Sequence, residues 1–189
     1  MKPVLLVIDM LNDFIKGKLK ISEADNITPN IRRLIEVFHE KELPVIYVCD
    51  SHIKGVDYEL KIWGEHAIKG TWGAKVIDEL APKEVDYVVY KRRYSGFFET
   101  DLDLLLRELK VDTLVLVGVS TNVCVQHTAA DAFFRNYKII VISDATAAFT
   151  KEAHEQALQY MKEIYKAEVL STEEFIEKLG EQFESARGL

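Results

Sequence analysis

Thr113-Leu-Val-Leu-Val-Gly-Val-Ser-Thr-Asn-Val-Cys-Val125 is an apolar run that hands over to a helical pattern. Thr113 to Val117 is a strand-length block of Leu and Val. From about Asn122 to Arg135 the apolar residues Val125, Ala129, Ala132 and Phe133 return at helical spacing. A strand without polar alternation is buried on both faces, which places it in a sheet covered by helices. The same unit recurs along the chain. Apolar runs lie at Val4 to Ile8, Val45 to Val48, Tyr87 to Tyr90, Ile139 to Ile142 and Ala167 to Leu170. Helical spacing lies between them at Ile27 to Glu42, Ala74 to Leu80, Thr100 to Leu109 and Lys151 to Tyr165, with a final helix from about Thr172. Leu43-Pro44 and Ala81-Pro82 mark helix exits. The alternation predicts an α/β fold, a three-layer α/β/α sandwich on a six-stranded, mostly parallel sheet.

The 189 residues suit a single domain, 1–189, with 48% hydrophobic and 29% charged residues, in the range of an ordinary globular chain. A net charge of −7 repels nucleic acid and anionic membrane, so neither is an expected partner. Cys49 and Cys124 fall at the ends of different strands and outline no disulfide framework. The chain opens directly on a strand, with no leader pattern and no membrane span, so a cytoplasmic setting is expected.

In parallel sheets ligands gather beyond the carboxyl ends of the strands. Those ends carry Asp9, then Asp50 and His52, then Lys91, and the Thr113 strand leads to Cys124. A cysteine in the first turn of a helix meets unpaired N–H groups and the positive end of the dipole, which favour thiolate. Asp9 follows four apolar residues, and partial desolvation would raise its pKa and fit it to shuttle a proton. As a turn cap it would be ordinary, although Asp13 is the better candidate for that part. Lys91 at a buried strand end needs an anion, whereas Arg92 and Arg93 read as solvated charges. Asp50-x-His52 can aim both side chains one way, and the long Ser51 to Gly73 segment can return His66 to them. Two imidazoles and a carboxylate suit a divalent metal, zinc first, with iron or manganese as alternatives. Phe14 and Trp63 are placed to flank a planar substrate. His127 competes as a base for Cys124 but ranks below Asp9; His39 and His154 read as surface residues.

Taken in order, these motifs support a resemblance. Asp9 with Asn12-Asp13-Phe14, Asp50-x-His52 with Trp63-x-x-His66, Lys91 with Tyr94-Ser95-Gly96-Phe97, and Gly118-Val-Ser-Thr-Asn-Val-Cys124 resemble the isochorismatase-like cysteine hydrolases over about residues 3 to 170. The resemblance implies a Rossmann-like sheet, a triad of Asp9, Lys91 and Cys124, and a cis peptide at Val119-Ser120. It implies an oxyanion hole from the N–H groups of Ser120 and Cys124, and a metal site of Asp50, His52 and His66 similar to that of nicotinamidases. Substrate contacts would come from Phe14, Trp63, Leu11 and Val119, with Leu11 standing where many relatives have Gln. The implied activity is hydrolysis of a small carboxamide through a thioester, nicotinamide to nicotinate and ammonia foremost. Cys124 argues against a true isochorismatase. The Lys91 to Leu102 segment resembles carbamoylsarcosine-type amidases as much as nicotinamidases, which keeps a carbamoyl or ureido amidase as the alternative. A non-catalytic protein of the same fold is a third reading, and the complete triad argues against it. Relatives are commonly homo-oligomers, so a homo-oligomer is expected.

Overall fold

The computed structural model describes residues 1–187; Gly188 and Leu189, the end of the expected span, lie outside the described residues. Six parallel strands form the sheet: β1 (Pro3–Ile8), β2 (Val45–Asp50), β3 (Tyr87–Lys91), β4 (Thr113–Val119), β5 (Lys138–Ala147) and β6 (Glu168–Leu170). Their order is β3-β2-β1-β4-β5-β6, every neighbouring pair parallel. The helices are α1 (Asn12–Ile15), α2 (Ala24–Glu40), α3 (Glu59–Trp63), α4 (Leu102–Glu108), α5 (Gln126–Phe134), α6 (Lys151–Ile164) and α7 (Thr172–Arg187).

Alternate residues of the central strands point to opposite faces, and each face closes its own core. Leu5, Val7, Val115 and Val117 pack under α2 and α7, with Ile31, Leu34, Phe38 and Phe175. Val4, Leu6, Leu114 and Leu116 pack under α4, α5 and α6, with Leu102, Leu106, Ala129 and Met161. Every residue of β1, β2 and β4 is buried, as continuous apolar runs require. The edge strand β3 departs from that expectation, since Tyr87, Val88 and Tyr90 are exposed on a border no helix covers.

Three helical expectations change. The stretch Ala74 to Leu80 is two short 3₁₀ turns, Trp72–Ala74 and Asp78–Leu80, separated by Val76 in an antiparallel bridge with Leu11. The helix expected from Asn122 begins as a π-type turn, Thr121–Val125, and becomes α-helical only at Gln126. Phe133, assigned to its buried face, is 43% exposed beside the exposed Phe134, while Thr128 takes an inward place. α2 starts three residues before the expected Ile27 and carries Pro29 in its second turn, where little of the helical hydrogen-bond ladder is lost. No helix among the described residues is long and apolar enough to cross a membrane.

Candidate active site

From β1 the chain builds β2 and β3 on one side, then crosses back to lay β4 against the other side of β1. The carboxyl ends of β1 and β4 flank this topological switch point, where such sheets open a crevice. Asp9 leaves β1 with φ 50°, a left-handed conformation Asp tolerates better than most residues. Its N–H donates to Val48 O at 2.9 Å, and Leu11 N–H returns to Asp9 O at 2.7 Å, which fixes the turn. Beside it β4 passes through Gly118 at φ 106°, where a Cβ would stand 2.0 Å from Ile8 O. Only glycine lets the two strand ends approach this closely. The next peptide, Val119-Ser120, is cis, and the turn it opens carries Cys124. Asp50 and Lys91 are partners in the β2–β3 register and so emerge at one level.

Lys91, 1% exposed, is the hub of the buried charges. Its Nζ lies 2.9 Å from Asp9 Oδ2, 2.5 Å from Asp50 Oδ1 and 3.4 Å from Cys124 Sγ, and it donates to Arg93 O at 3.1 Å. Ligand atoms of Asp9, Asp50 and Cys124 all lie within 4.8 Å of one another. Asp9 Oδ1 also accepts from the Asp50 N–H at 2.7 Å. Burial raises the Asp9 pKa to about 6, with the Asp50 charge adding to the rise and Lys91 opposing it. Burial would lower the Lys91 pKa, but Asp50 and Asp9 hold it well above its ordinary value. The Cys124 thiol is pushed well above its usual range by burial, and the attraction of Lys91 does not offset burial together with the repulsion of Asp9 and Asp50. Cys124 is therefore a thiol at rest, with a carboxylate placed to take its proton. The thiolate expected from the turn position alone is outweighed by burial beside two acids.

A second cluster adjoins the first. Asp50, His52 and His66 come together as the sequence expects, and Glu59 of α3 joins them, with one ligand atom from each within 4.8 Å of the others. His66 arrives because the loop pairs with the strand end: His52 N–H donates to Ala67 O and Lys69 N–H to His52 O, both at 2.9 Å. Asp13, expected as a helix or turn cap, accepts from Lys18 N–H at 3.3 Å in the turn after α1 and from Ala67 N–H at 2.9 Å. It also packs so closely on Gly73 that a Cβ there would stand 2.0 Å from its Oδ2. Each ring has a set tautomer. His66 Nδ1 lies 2.8 Å from Gly64 O, an acceptor only, so Nδ1 carries the proton and Nε2 the lone pair. His52 Nδ1 lies 3.1 Å from Asp57 Oδ2, which likewise leaves Nε2 free. Among the described residues, His52 Nε2 and Glu59 Oε1 have no hydrogen-bond partner though buried, and Asp50 Oδ2 lies 3.5 Å from that Nε2. Two imidazole lone pairs and two carboxylates aimed at one point fit a divalent metal. Burial would lower the His52 pKa, yet the Asp50, Asp57 and Glu59 carboxylates raise it, which marks a place that attracts a cation.

Sequence reasoning missed Asp57 and Glu59. Asp57 is buried, accepts from Ile53 N–H at 3.0 Å and is gripped by both arms of Arg92, which hold its carboxyl well below the usual range. Arg92 is thus engaged rather than simply solvated. Burial, with the Asp50 charge, raises Glu59 to about 7.

Phe14, Trp63, Val119 and Ser120 line a cavity with Cys124, His66, Asp50 and Glu59, and Leu19, Ile21, Tyr94, Val123 and Phe149 complete it. Its volume is about 30 Å³. Trp63 stacks on Phe149 at 5.9 Å and 8°, and its Nε1–H donates to Tyr94 Oη at 3.0 Å, which roofs the space. Leu11 is absent from these walls. It is 0% exposed, in the core under α2, because its extended backbone pairs with Val76. His127 is exposed, donates Nδ1–H to Val123 O at 2.8 Å and rests against Tyr94, away from the thiol. His39 and His154 are both partly buried rather than on the surface; His39 Nε2 pairs with the enclosed carboxylate of the partly buried Asp86 at 2.7 Å.

The sequence model of the Isochorismatase domain family matches residues 3–174. Among solved structures, N-carbamoylsarcosine amidase from Thermoplasma acidophilum is 46% identical, covering 91% of this chain and 97% of that one, with a TM-score of 0.86. Nicotinamidase PncA from Bacillus subtilis is 35% identical over 90% of this chain and 100% of that one, TM-score 0.86. The pyrazinamidase of Pyrococcus horikoshii, solved in complex with zinc, is 28% identical over 90% and 99%, TM-score 0.83.

Proposed function

The chain belongs to the isochorismatase family, and from that premise we propose that it is a cysteine amidohydrolase of small carboxamides, a nicotinamidase that converts nicotinamide and water to nicotinate and ammonia. One observation carries the reading: the Cys124 thiol, with Lys91 Nζ at 3.4 Å, shares its cavity with the His66, Asp50 and Glu59 cluster. An amide carbon at sulfur thus leaves the rest of a ring facing metal-binding side chains.

Asp9 takes the Cys124 proton as sulfur attacks the carboxamide carbon, while Lys91 remains charged and balances the acids around it. The N–H groups of Ser120 and Cys124 receive the oxygen as it becomes negative, and one such donor lowers a barrier by about 3 kcal/mol. The C–N bond breaks, Asp9 returns its proton to the nitrogen, and ammonia leaves a thioester on Cys124. Water then attacks the thioester carbon with Asp9 as base. The C–S bond breaks, the acid departs, and sulfur recovers its proton from Asp9. Asp50, His52, His66 and Glu59 would hold a divalent metal, zinc in this reading, which when bound fixes and polarises a ring nitrogen or other polar group of the substrate. Phe14 and Trp63 bound the ring on two sides.

The second reading, a carbamoyl or ureido amidase, draws on the likeness to N-carbamoylsarcosine amidase and on the Lys91 to Leu102 segment. Those substrates carry a carboxylate, yet no lysine or arginine is among the cavity's described walls, and Asp50 and Glu59 are. A substrate carboxylate would have only the proposed metal as its cationic partner, and side-chain walls that supply acids but no cation favour a neutral amide. Assembly as a homo-oligomer in the cytoplasm belongs to the same proposal; Phe133, Phe134 and Ile164 are exposed apolar residues of α5 and α6 suited to contact another copy.

Ammonia release from nicotinamide, pyrazinamide, N-carbamoylsarcosine and ureidoacrylate tests these readings together. Nicotinamide and pyrazinamide are expected to be cleaved fastest, and Cys124→Ala is expected to abolish release. Faster cleavage of the two anionic compounds would transfer the assignment to the second reading. A Cys124→Ala variant with wild-type turnover would refute the nucleophile.

A further inference from the structure

His154 stands on α6 outside the cavity, and its Nδ1 lies 2.8 Å from the Thr121 hydroxyl. Thr121 follows Ser120, opens the turn that carries Cys124, and is fully buried. Val123 and Val125 N–H both return to Ser120 O, at 3.0 and 3.2 Å, and Ser120 Oγ donates to Asn122 Oδ1 at 2.8 Å, while Lys91 Nζ reaches Cys124 Sγ at 3.4 Å from across the site. The local bonds give the turn its shape, and the Lys91 contact holds only its Cys124 end. The bond to His154 spans 33 residues and ties the turn to a separate helix. Burial keeps the His154 pKa below its ordinary value. Thr121 is β-branched, with few χ1 choices, so anchoring its hydroxyl anchors its backbone.

We propose that His154 is a positioning residue for amide hydrolysis: through Nδ1 and the Thr121 hydroxyl it fixes the place of the Ser120 to Cys124 turn, and with it the thiol and the N–H groups that meet the substrate. This rests on the amidohydrolase reading. Misplacement of reacting groups by about 1 Å costs on the order of 100-fold in rate, so loss of one tether is expected to cost roughly tenfold or more.

The test is a series at position 154 in the full chain, with kcat and KM for nicotinamide and a thermal melt for each variant. His154→Ala is expected to lower kcat by roughly tenfold or more with KM within about twofold. His154→Asn, whose amide reaches the place of Nδ1, is expected to restore most of kcat. His154→Gln, whose amide reaches the place of Nε2, is not. Thr121→Val is expected to reproduce the His154→Ala loss, and the double variant to add little to either, as coupled partners do. Wild-type kcat in His154→Ala would overturn the proposal. So would equal losses in the Ala, Asn and Gln variants that follow their melting temperatures, the mark of a purely structural role. Cys124→Ala, run alongside, decides the amidohydrolase reading separately: activity retained there removes that reading whatever the His154 series shows.

Discussion

Asp9 carries two demands that pull its chemistry in opposite directions. It must be ionised to accept the Cys124 proton, yet burial, and then the charge of Asp50, lift its pKa to about 6. A base with a raised pKa is ionised above that value and protonated below it. The kcat/KM profile is therefore expected to fall as pH drops through about 6, with the thiol remaining protonated on both sides of that limb. A profile flat from pH 5 to 8 would remove Asp9 from that role. Asp9→Asn keeps the size and deletes the base, and is expected to lose roughly 100- to 10,000-fold in kcat. Asp9 and Lys91 could be read from sequence because each closes an apolar run, where an ionisable residue stands out, and Cys124 because it lies where such a run hands over to a helical pattern. The resting thiol could not, since it comes from burial, with the charges of Asp9 and Asp50 added to it, and both are set only by the folded site.

Among the elements, β4 and the turn after it are the least tolerant of change. Gly118→Ala would drive a methyl to 2.0 Å from Ile8 O at φ 106°, and is expected to cost about 3 kcal/mol or more, read from urea unfolding. The strands were legible because parallel strands buried on both faces are written as unbroken apolar runs. The segment Ala74 to Leu80 misled because its apolar spacing suits a helix, whereas Leu11 recruits Val76 into a bridge from 65 residues away. Glu59 and Asp57 escaped notice for a similar reason. Neither belongs to a recognisable motif, and both reach the His52 ring only once the loop has folded. Asp57→Asn is expected to lower metal affinity roughly 10- to 100-fold, measured by elemental analysis after dialysis, because it frees the His52 tautomer. Unchanged metal content would show that Asp57 serves only to hold Arg92.

At the scale of the whole molecule, two cores clamp one sheet, and the site is where the sheet's winding reverses. Stability and chemistry are thereby separated along the strands, with Leu116 deep in one core and Gly118 two residues on at the site. Leu116→Ala is expected to cost about 2–5 kcal/mol in unfolding free energy while the surviving folded enzyme keeps its pH profile. The roof has a consequence of another kind. The cavity measures about 30 Å³, and the stacked rings of Trp63 and Phe149 stand among its walls. Trp63 ends α3 and Phe149 lies between β5 and α6, so the two rings ride on separate segments, and entry and exit are expected to depend on their parting. Added sucrose is then expected to slow kcat/KM in proportion to solvent viscosity, and Phe149→Ala to remove that dependence; a rate indifferent to sucrose would separate these rings from substrate entry.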